Sequence, residues 1–259
     1  MFAHPHLPGE IMRLKTIVAF CVTAGLIGCS QPTMQQETVE KYPGGAKKKE
    51  NYYFGAGARK EVVKTVIYFE DGSIQSESNF KKAKPDSILY GNYKNGKRYM
   101  ETMYKDGKKN GKDMMWYENG QIQNEATFYQ DTPTGTATSY FENGKKASET
   151  SFKLGKKDGE ETVWYNNGNK KRFVTYAAGN KNGVEQQWFE NGKLKTEQTF
   201  ANDVLNGPSS TYYESGKKEN EMNYKDGALD GKKTQWDEKG RKQSEGTYQN
   251  GNFVDGKVY

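Results

Sequence analysis

Aromatic residues and glycines recur along this chain at a fixed interval of 24 residues, with short polar segments between them. One glycine column follows a two-residue pair that is usually acidic or contains Asn, and it comprises Gly72, Gly96, Gly120, Gly144, Gly168, Gly192, Gly216 and Gly240. Self-similarity at such a period is typical of tandem-repeat proteins, in which each unit packs on its neighbours. The pattern therefore predicts a structural unit repeated about eight times rather than a catalytic motif.

Other columns keep the same spacing. They are an aromatic column from Phe80 to Tyr248, a second aromatic column from Tyr68 to Trp236, a third from Phe69 to Tyr213, and a glutamate column from Glu77 to Glu245 that is interrupted at Phe173. The segments between turns have six to eight residues and are rich in Thr, Tyr, Trp and Phe, as strands are. No segment holds a long apolar 3.6-residue period. The pattern predicts an all-β fold, an elongated single-sheet antiparallel β-meander of tandem 24-residue β-hairpins.

Each unit contains two turns. The Glu-Asn-Gly turn fits a three-residue hairpin loop, since Asn and Gly tolerate positive φ. The second turn is expected to be longer, as in residues 105–111. A pair formed by Tyr117 and Gln121 sets the register across the first turn. Period-2 alternation then places Trp116 and Phe128 on one face of the sheet and Glu125 on the other, unless a bulge shifts the register.

The W/Y-Y/F-E-N-G-K pattern and its spacing resemble MORN-repeat proteins, specifically the bacterial 24-residue variant found in the YwqK-type antitoxin family. Residues 142–145 and 190–193, both Glu-Asn-Gly-Lys, carry the resemblance best, and it extends over residues 68–259. The resemblance implies the hairpin array, and it permits an antitoxin or immunity-type binding role or binding to a membrane-lipid surface. Such repeats are building blocks in proteins of many functions.

The first 50 residues differ from the repeats. A basic start at residues 12–15 and a mostly apolar run at 16–28 predict a signal peptide over residues 1–28, for which Met12 is the better start. The ending Leu26-Ile27-Gly28-Cys29 resembles a bacterial lipobox, which implies cleavage before Cys29 and lipid attachment to it. Residues 29–50 are polar and predict a flexible tether. Residues 51–67 are expected to form N-terminal cap strands, and residues 68–259 the repeats.

The composition limits the chemistry that the chain can perform. Mean hydropathy is −1.06, yet 13% of residues are aromatic, which excludes both a disordered chain and a compact two-layer domain with an aliphatic core. Its histidines are His4 and His6, and its cysteines are Cys21 and Cys29. Cleavage before Cys29 leaves no histidine, and the one remaining cysteine would carry the lipid. This excludes a His or Cys metal site and a Ser-His or Cys-His nucleophile. We therefore expect no metal and no cofactor.

The glutamate column could supply acids and bases, but a catalytic pair is a single constellation with opposed environments. Equivalent carboxylates in a line indicate a ladder of ion pairs with Lys or Arg on adjacent strands. We expect no enzymatic activity. Most basic residues stand beside turns, where lysine keeps a sheet soluble and unpaired. An exported protein rarely meets nucleic acid, so we expect no nucleic-acid partner.

The sequence thus predicts a non-enzymatic, lipid-anchored scaffold of the bacterial envelope, sorted to the outer membrane, that binds a protein or a glycan. A long sheet with exposed rings would suit either partner. The candidate binding surface comprises Trp116, Tyr117, Tyr140, Phe141, Trp164, Tyr165, Trp188, Phe189, Tyr212 and Tyr213.

Overall fold

The computed structural model describes residues 33–55 and 57–259, so the predicted signal peptide and Cys29 lie outside the described residues. Within them, a 20-stranded sheet is accompanied by one helical segment, the 3-10 turn Gly57–Arg59. The strands are β1 (Gln35–Lys41), β2 (Lys47–Phe54), β3 (Glu61–Tyr68), β4 (Ile74–Lys81), β5 (Lys84–Asn92), β6 (Arg98–Lys105), β7 (Lys108–Trp116), β8 (Ile122–Tyr129), β9 (Thr132–Tyr140), β10 (Lys146–Lys153), β11 (Lys156–Trp164), β12 (Lys170–Ala177), β13 (Asn180–Trp188), β14 (Leu194–Ala201), β15 (Val204–Tyr212), β16 (Lys218–Lys225), β17 (Ala228–Leu229), β18 (Gly231–Trp236), β19 (Lys242–Gln249) and β20 (Asn252–Val258).

Each strand pairs antiparallel with the next strand in the chain. The pairs run from β1–β2 through β9–β10 to β19–β20, and β16 pairs with both β17 and β18, which together occupy one strand position. Antiparallel neighbours joined by short turns need no crossover connection. The predicted all-β single-sheet meander is therefore confirmed.

The Glu-Asn-Gly turns have the predicted three-residue loop. In the turn after β7, the Tyr117 amide donates to the Gln121 carbonyl (2.9 Å) and the Gly120 amide donates to the Tyr117 carbonyl (2.9 Å). Gly120 has a φ of 94°, whereas Asn119 is not among the residues with positive φ. Asn119 instead accepts a hydrogen bond at Oδ1 from the Gln121 amide (2.8 Å). The glycine supplies the backbone conformation, and the asparagine closes the loop with its side chain.

The second turn is shorter than predicted. Asp106 and Gly107 are the two residues between β6 and β7, with φ of 51° and 86°. Positive φ at both central residues is the requirement of a type I′ hairpin turn. The prediction of a loop through residue 111 was wrong, because Gly111 lies inside β7 at an irregularity in the pairing with β6 and has a φ of 119°. L side chains rarely adopt this φ, and a Cβ on Gly111 would also lie 2.9 Å from Met103 Sδ, so both the backbone and the packing favour glycine there.

A β-bulge follows the Glu-Asn-Gly turn and changes which residues share a face. Met115 pairs with Asn124 but Trp116 pairs with Ile122, so β8 contains one extra residue. Glu125 then pairs with Met114 and shares the face of Trp116. The predicted face assignments of Glu125 and Phe128 were therefore wrong, because the extra residue reverses the alternation.

The two faces are named here by their aromatic residues. The tryptophan face carries the second aromatic column, with Trp116, Trp164, Trp188 and Trp236, together with the glutamate column. The phenylalanine face carries the first aromatic column, with Phe80, Phe128, Phe152 and Phe200.

The predicted tether is partly folded. Residues 35–41 and 47–54 are strands β1 and β2, and the Tyr42 amide donates to the Ala46 carbonyl (2.9 Å) as in the later turns. The turn glycine Gly45 precedes Gly72 by 27 residues instead of 24. The extra length lies between β2 and β3, where the Gly57–Arg59 turn is located. The prediction of a flexible tether through Glu50 was wrong because this hairpin is out of step with the 24-residue count.

Very few aliphatic side chains are buried. Among the described residues, the buried hydrophobic side chains are Val66 and Val174. The other buried side chains are polar and include Glu50, Glu185 and Ser209. Stability therefore comes from contacts between neighbouring hairpins rather than from a central core, as the composition predicts.

Candidate functional site

Two tyrosines of the second aromatic column donate hydrogen bonds to carboxylates. Tyr140 Oη donates to Glu125 Oε1 (2.6 Å), and Tyr68 Oη donates to Oε2 of Glu50 (2.7 Å), which holds the equivalent position in the N-terminal hairpin. At the position where Asn92 interrupts the column, Tyr90 Oη donates to Glu77 instead (3.1 Å). Tyr90 precedes Asn92 by two residues and therefore lies on the same face. The break in the aromatic column is thus compensated from a neighbouring position.

Most glutamates of the column are paired with a cation three residues earlier on the same strand. The pairs are Lys47–Glu50 (2.6 Å), Arg98–Glu101, Lys146–Glu149, Lys218–Glu221 (3.0 Å) and Lys242–Glu245 (2.5 Å). Residues three apart on a regular strand lie on opposite faces, but the bulge after the turn brings them to one face. The expected pairing across adjacent strands occurs at Lys64–Glu77 (2.7 Å) and Lys232–Glu245. Glu125 and Glu197 instead accept hydrogen bonds from Tyr140 and Gln186, so the expected ladder of ion pairs is partial.

The third aromatic column joins one hairpin to the next. Its tyrosines donate to the backbone carbonyl of the second-column residue in the following repeat, in the pairs Tyr93–Trp116 (2.8 Å), Tyr117–Tyr140 (2.8 Å), Tyr165–Trp188 (2.9 Å) and Tyr213–Trp236 (2.8 Å). Phe141 and Phe189 hold equivalent positions without a hydroxyl. The tyrosine hydroxyls therefore have a structural role, because they donate hydrogen bonds to carbonyls at the ends of the strands.

Asn and Lys side chains of the Glu-Asn-Gly turns also link repeats. Asn119 Nδ2 donates to the Glu142 carbonyl (2.9 Å), and Lys145 Nζ donates to the Asn167 carbonyl (3.0 Å). Each turn thus reaches the following turn. The sequence predicts only a solubilising role for these lysines, and the structure shows that they also cap carbonyls of the next repeat.

All ten residues of the predicted binding surface are half-buried. They are Trp116, Tyr117, Tyr140, Phe141, Trp164, Tyr165, Trp188, Phe189, Tyr212 and Tyr213. The second-column members lie on the tryptophan face, whereas the tyrosines of the third column use their hydroxyls within the array. The pattern predicts exposed rings, whereas the described rings are half-buried. Lysines lie over four of these rings, with Lys146 over Trp164, Lys171 over Tyr165, Lys170 over Trp188 and Lys195 over Phe189.

Two open concavities on the tryptophan face repeat at a spacing of 96 residues, or four repeats. The first, of 390 Å³, is lined by Glu125, Thr138, Tyr140 and Lys146. The second, of 430 Å³, is lined by the equivalent residues Glu221, Thr234, Trp236 and Lys242. Tyr140 is a predicted site residue, whereas the carboxylates, lysines and threonines around it were not predicted. A shared position in the 24-residue period was the signal that could have identified them.

The carboxylate of the first concavity has a tyrosine as its hydrogen-bond donor. Ile122 stands three residues before Glu125, at a position that is basic in five repeats and aliphatic in two others, at Ile74 and Leu194. The Tyr140 hydroxyl serves as the donor to Glu125, and this hydrogen bond, together with burial, raises the pKa of Tyr140 to about 12.

The phenylalanine face carries a buried ion-pair cluster near the position where Phe173 interrupts the glutamate column. Arg172 bridges Glu185 (Nε to Oε1, 2.8 Å) and Glu161 (Nη1 to Oε2, 3.2 Å), and Lys181 Nζ also contacts Glu185 (2.5 Å). Burial opposes ionisation of Glu185, but its hydrogen bonds to Lys181 and Arg172 outweigh it and lower its pKa. Every carboxylate in this cluster has a cationic partner, as buried charges require.

No group of three or more His, Cys, Asp or Glu side chains within residues 33–55 and 57–259 could hold a metal ion. In the same part of the chain, no helix has the length and apolar character needed to cross a membrane.

Five segments of the chain match the family model described as "MORN repeat variant". They are residues 63–82, 109–131, 133–154, 181–202 and 205–226. The hairpin geometry also continues through the unmatched strands β5–β6 and β11–β12, where Asn92 and Phe173 depart from the column pattern. The chain is a tandem-repeat array that contains this repeat.

No curated protein matches the chain at a significant level. Among solved structures, the crystal structure of TcdB2-TccC3-TEV is 11% identical, with a TM-score of 0.21 over 86% of this chain and 15% of that chain. The crystal structure of TcdB2-TccC3-Cdc42 is 9% identical, with a TM-score of 0.19 over 82% of this chain and 16% of that chain. This chain thus corresponds to less than a fifth of the length of either. Likenesses of this size support no inference about fold or function.

Proposed function

We propose that this array of MORN-type repeats is a non-enzymatic scaffold of the bacterial envelope that binds an extended glycan on its tryptophan face. The observation that carries the proposal is the pair of equivalent concavities, which combine an aromatic ring, a carboxylate, a lysine and a threonine. Rings give stacking area, and the polar groups supply acceptors and donors for hydroxyl groups. A polyhydroxylated ligand matches this mixture better than an apolar one does.

The spacing of the two concavities favours an extended ligand. Four repeats contain eight strand positions, which span about 38 Å at about 4.8 Å per strand. A glycan that reaches both concavities binds with higher overall affinity, because the first contact raises the effective concentration for the second.

Retention on purified peptidoglycan and on envelope polysaccharide tests the proposal. Thr127 and Asn223 are exposed, line the two concavities and hold equivalent positions, so Thr127→Arg with Asn223→Arg should reduce retention at least about tenfold by obstructing both. Met115→Arg with Gln235→Arg, at equivalent exposed positions on the phenylalanine face, is the matched control and should retain binding. Equal loss in both variants would contradict the proposal. Recovery of a stable protein partner without glycan retention would assign the face to a protein.

We further propose that the chain is exported and anchored through a lipid on Cys29, on the strength of the Leu-Ile-Gly-Cys ending. Cys29→Ser should abolish labelling with a lipid precursor and release the protein from membranes. Labelling that persists in this variant would refute the anchor. The antitoxin hypothesis would gain support if deletion of the gene were tolerated only together with a neighbouring gene.

A further inference from the structure

One lysine of the tryptophan face stands where its carboxylate partner is replaced by a ring. The other basic residues at its position in the period each form an ion pair with the glutamate three residues later, and they are Lys47, Arg98, Lys146, Lys218 and Lys242. Three residues after Lys170 comes Phe173, the residue that interrupts the glutamate column. Among the described residues, Lys170 forms no ion pair.

The glutamates of the two adjoining repeats do not replace the missing partner. Glu149 contacts Lys146, and Glu197 accepts a hydrogen bond from Gln186. The positive charge of Lys170 is therefore not neutralised by the column, whereas the other cations of the column are.

Aromatic rings flank the Lys170 ammonium group. Its Nζ lies 5.6 Å from the ring centroid of Trp188 and 5.9 Å from that of Phe173, and Lys170 pairs across the strands with Trp164. Separations near about 6 Å are the outer limit of a cation–π contact, so the rings hold the charge only weakly. Lys170 is exposed and the three rings are half-buried. The ammonium group therefore keeps donors that can reach an anion in solution.

This cluster lies midway between the two concavities. Phe173 occupies the column position two repeats after Glu125 and two repeats before Glu221. Trp188 is likewise two repeats from Tyr140 and two repeats from Trp236. Phe173 pairs with Gln186, which precedes Trp188 by two residues, so both rings lie on the tryptophan face. A ligand that follows the sheet from one concavity to the other passes over Lys170.

We propose that Lys170, Phe173 and Trp188 form a subsite for a sugar that carries a carboxylate. This inference rests on the proposed glycan-binding function and identifies the class of glycan as acidic. The rings offer stacking area to the sugar, and the Lys170 ammonium group pairs with its carboxylate through a charge-assisted hydrogen bond. The lysines of the concavities contact Glu149 and Glu245, so Lys170 supplies the contact that selects for negative charge.

Binding of an acidic sugar polymer and of its neutral counterpart tests the subsite. The probes are polygalacturonate, which has a carboxylate on each sugar, and the same polymer after carboxyl reduction, and isothermal titration calorimetry measures both affinities. The full chain should bind polygalacturonate more tightly. Lys170→Gln should lower that affinity about fivefold, the size expected of one exposed charge pair, and leave the affinity for the reduced polymer unchanged.

Two further variants separate the subsite from general positive charge. Lys171→Gln is the matched control, because Lys171 is also exposed but lies over Tyr165 (5.5 Å), and it should leave both affinities unchanged. Phe173→Glu gives Lys170 the partner that Lys146 and Lys218 have, so it should lower the affinity for polygalacturonate more than that for the reduced polymer. Glutamate holds this position in the other repeats, so circular dichroism should show an unchanged β-sheet signal.

Three results would overturn the acidic-sugar subsite. They are equal wild-type affinities for the two polymers, equal losses in Lys170→Gln and Lys171→Gln, and no binding of either polymer. Equal wild-type affinities would leave the glycan-binding function supported. If neither polymer binds, retention on peptidoglycan and envelope polysaccharide still decides that function separately.

Discussion

Replacing Glu50 by Gln should destabilise the N-terminal hairpin at neutral pH. The Glu50 carboxylate is only 2% exposed and accepts hydrogen bonds from Lys47 Nζ (2.6 Å) and Tyr68 Oη (2.7 Å). Burial alone would raise its pKa, but hydrogen bonds from Lys47, Tyr68 and Gln36 outweigh burial and lower the pKa from 4.5 to about 2. The folded hairpin therefore stabilises the ionised form of Glu50 more strongly than the unfolded chain does.

The pKa difference sets the size and the pH range of the effect. A fall from 4.5 to about 2 corresponds to about 3 kcal/mol, at about 1.4 kcal/mol per pKa unit. Lys47 is 57% exposed, so solvent screening reduces the contribution to about 2 kcal/mol. Because the folded-state pKa is the lower one, this stabilisation is complete above the unfolded pKa of 4.5. It is lost as the pH falls toward 2.

Amide hydrogen exchange in β1 and β2 measures the effect locally, which suits a repeat array whose ends open independently. Glu50→Gln should accelerate exchange there about 30-fold at pH 7 and leave β10 and β11 unchanged. Glu40→Gln is the matched control in the same hairpin, because Glu40 is 48% exposed, and should change stability by less than about 0.5 kcal/mol. Unchanged exchange in Glu50→Gln, or unprotected β1 amides in the wild type, would refute the packed hairpin.

Four further substitutions test the turn geometry and the contacts that hold the array together. Tyr117→Phe should cost about 1 kcal/mol in urea unfolding by removing its hydroxyl hydrogen bond, and Phe141→Tyr should gain up to about 1 kcal/mol by adding the equivalent bond; a loss in both would argue against the connector role. Leu154 has a φ of 50° and is 85% exposed, so Leu154→Asn should stabilise the protein by about 1 kcal/mol in the same assay, and a lower unfolding midpoint would contradict the turn geometry. Arg172→Leu should cost about 3 kcal/mol because Glu185 stays buried with fewer partners, whereas a neutral result would show that the cluster contributes nothing net.

The 24-residue period is sufficient to predict much of the fold. Eight glycines at this interval, with aromatic columns beside them, predict the hairpins, their order and the Glu-Asn-Gly loop at Tyr117. These features follow from local chemistry, because turn residues and strand-forming residues alternate within each unit. The N-terminal hairpin could not be predicted in this way, because its turn glycine precedes the next one by 27 residues instead of 24.

Bulges account for the main errors in the predicted side-chain arrangement. The sequence does not distinguish a glycine in a turn from a glycine in a bulge, such as Gly111. A single extra residue in β8 also moves Glu125 to the face of Trp116. Ring exposure was also overestimated, because the aromatic columns pack against columns of charged residues. The sequence gives the positions of these charged residues but not the face of the sheet on which their side chains lie. Equivalent concavities at Tyr140 and Trp236 depend on that orientation and could not be predicted.

Tryptophan fluorescence tests the binding face most directly, since all four tryptophans, Trp116, Trp164, Trp188 and Trp236, lie on it. Titration with the retained polysaccharide should give a saturable decrease in acrylamide quenching of these tryptophans. The Thr127→Arg with Asn223→Arg variant should show no such change. Saturable binding that leaves the quenching of every tryptophan unaltered would place the ligand elsewhere and contradict the proposed role of the tryptophan face.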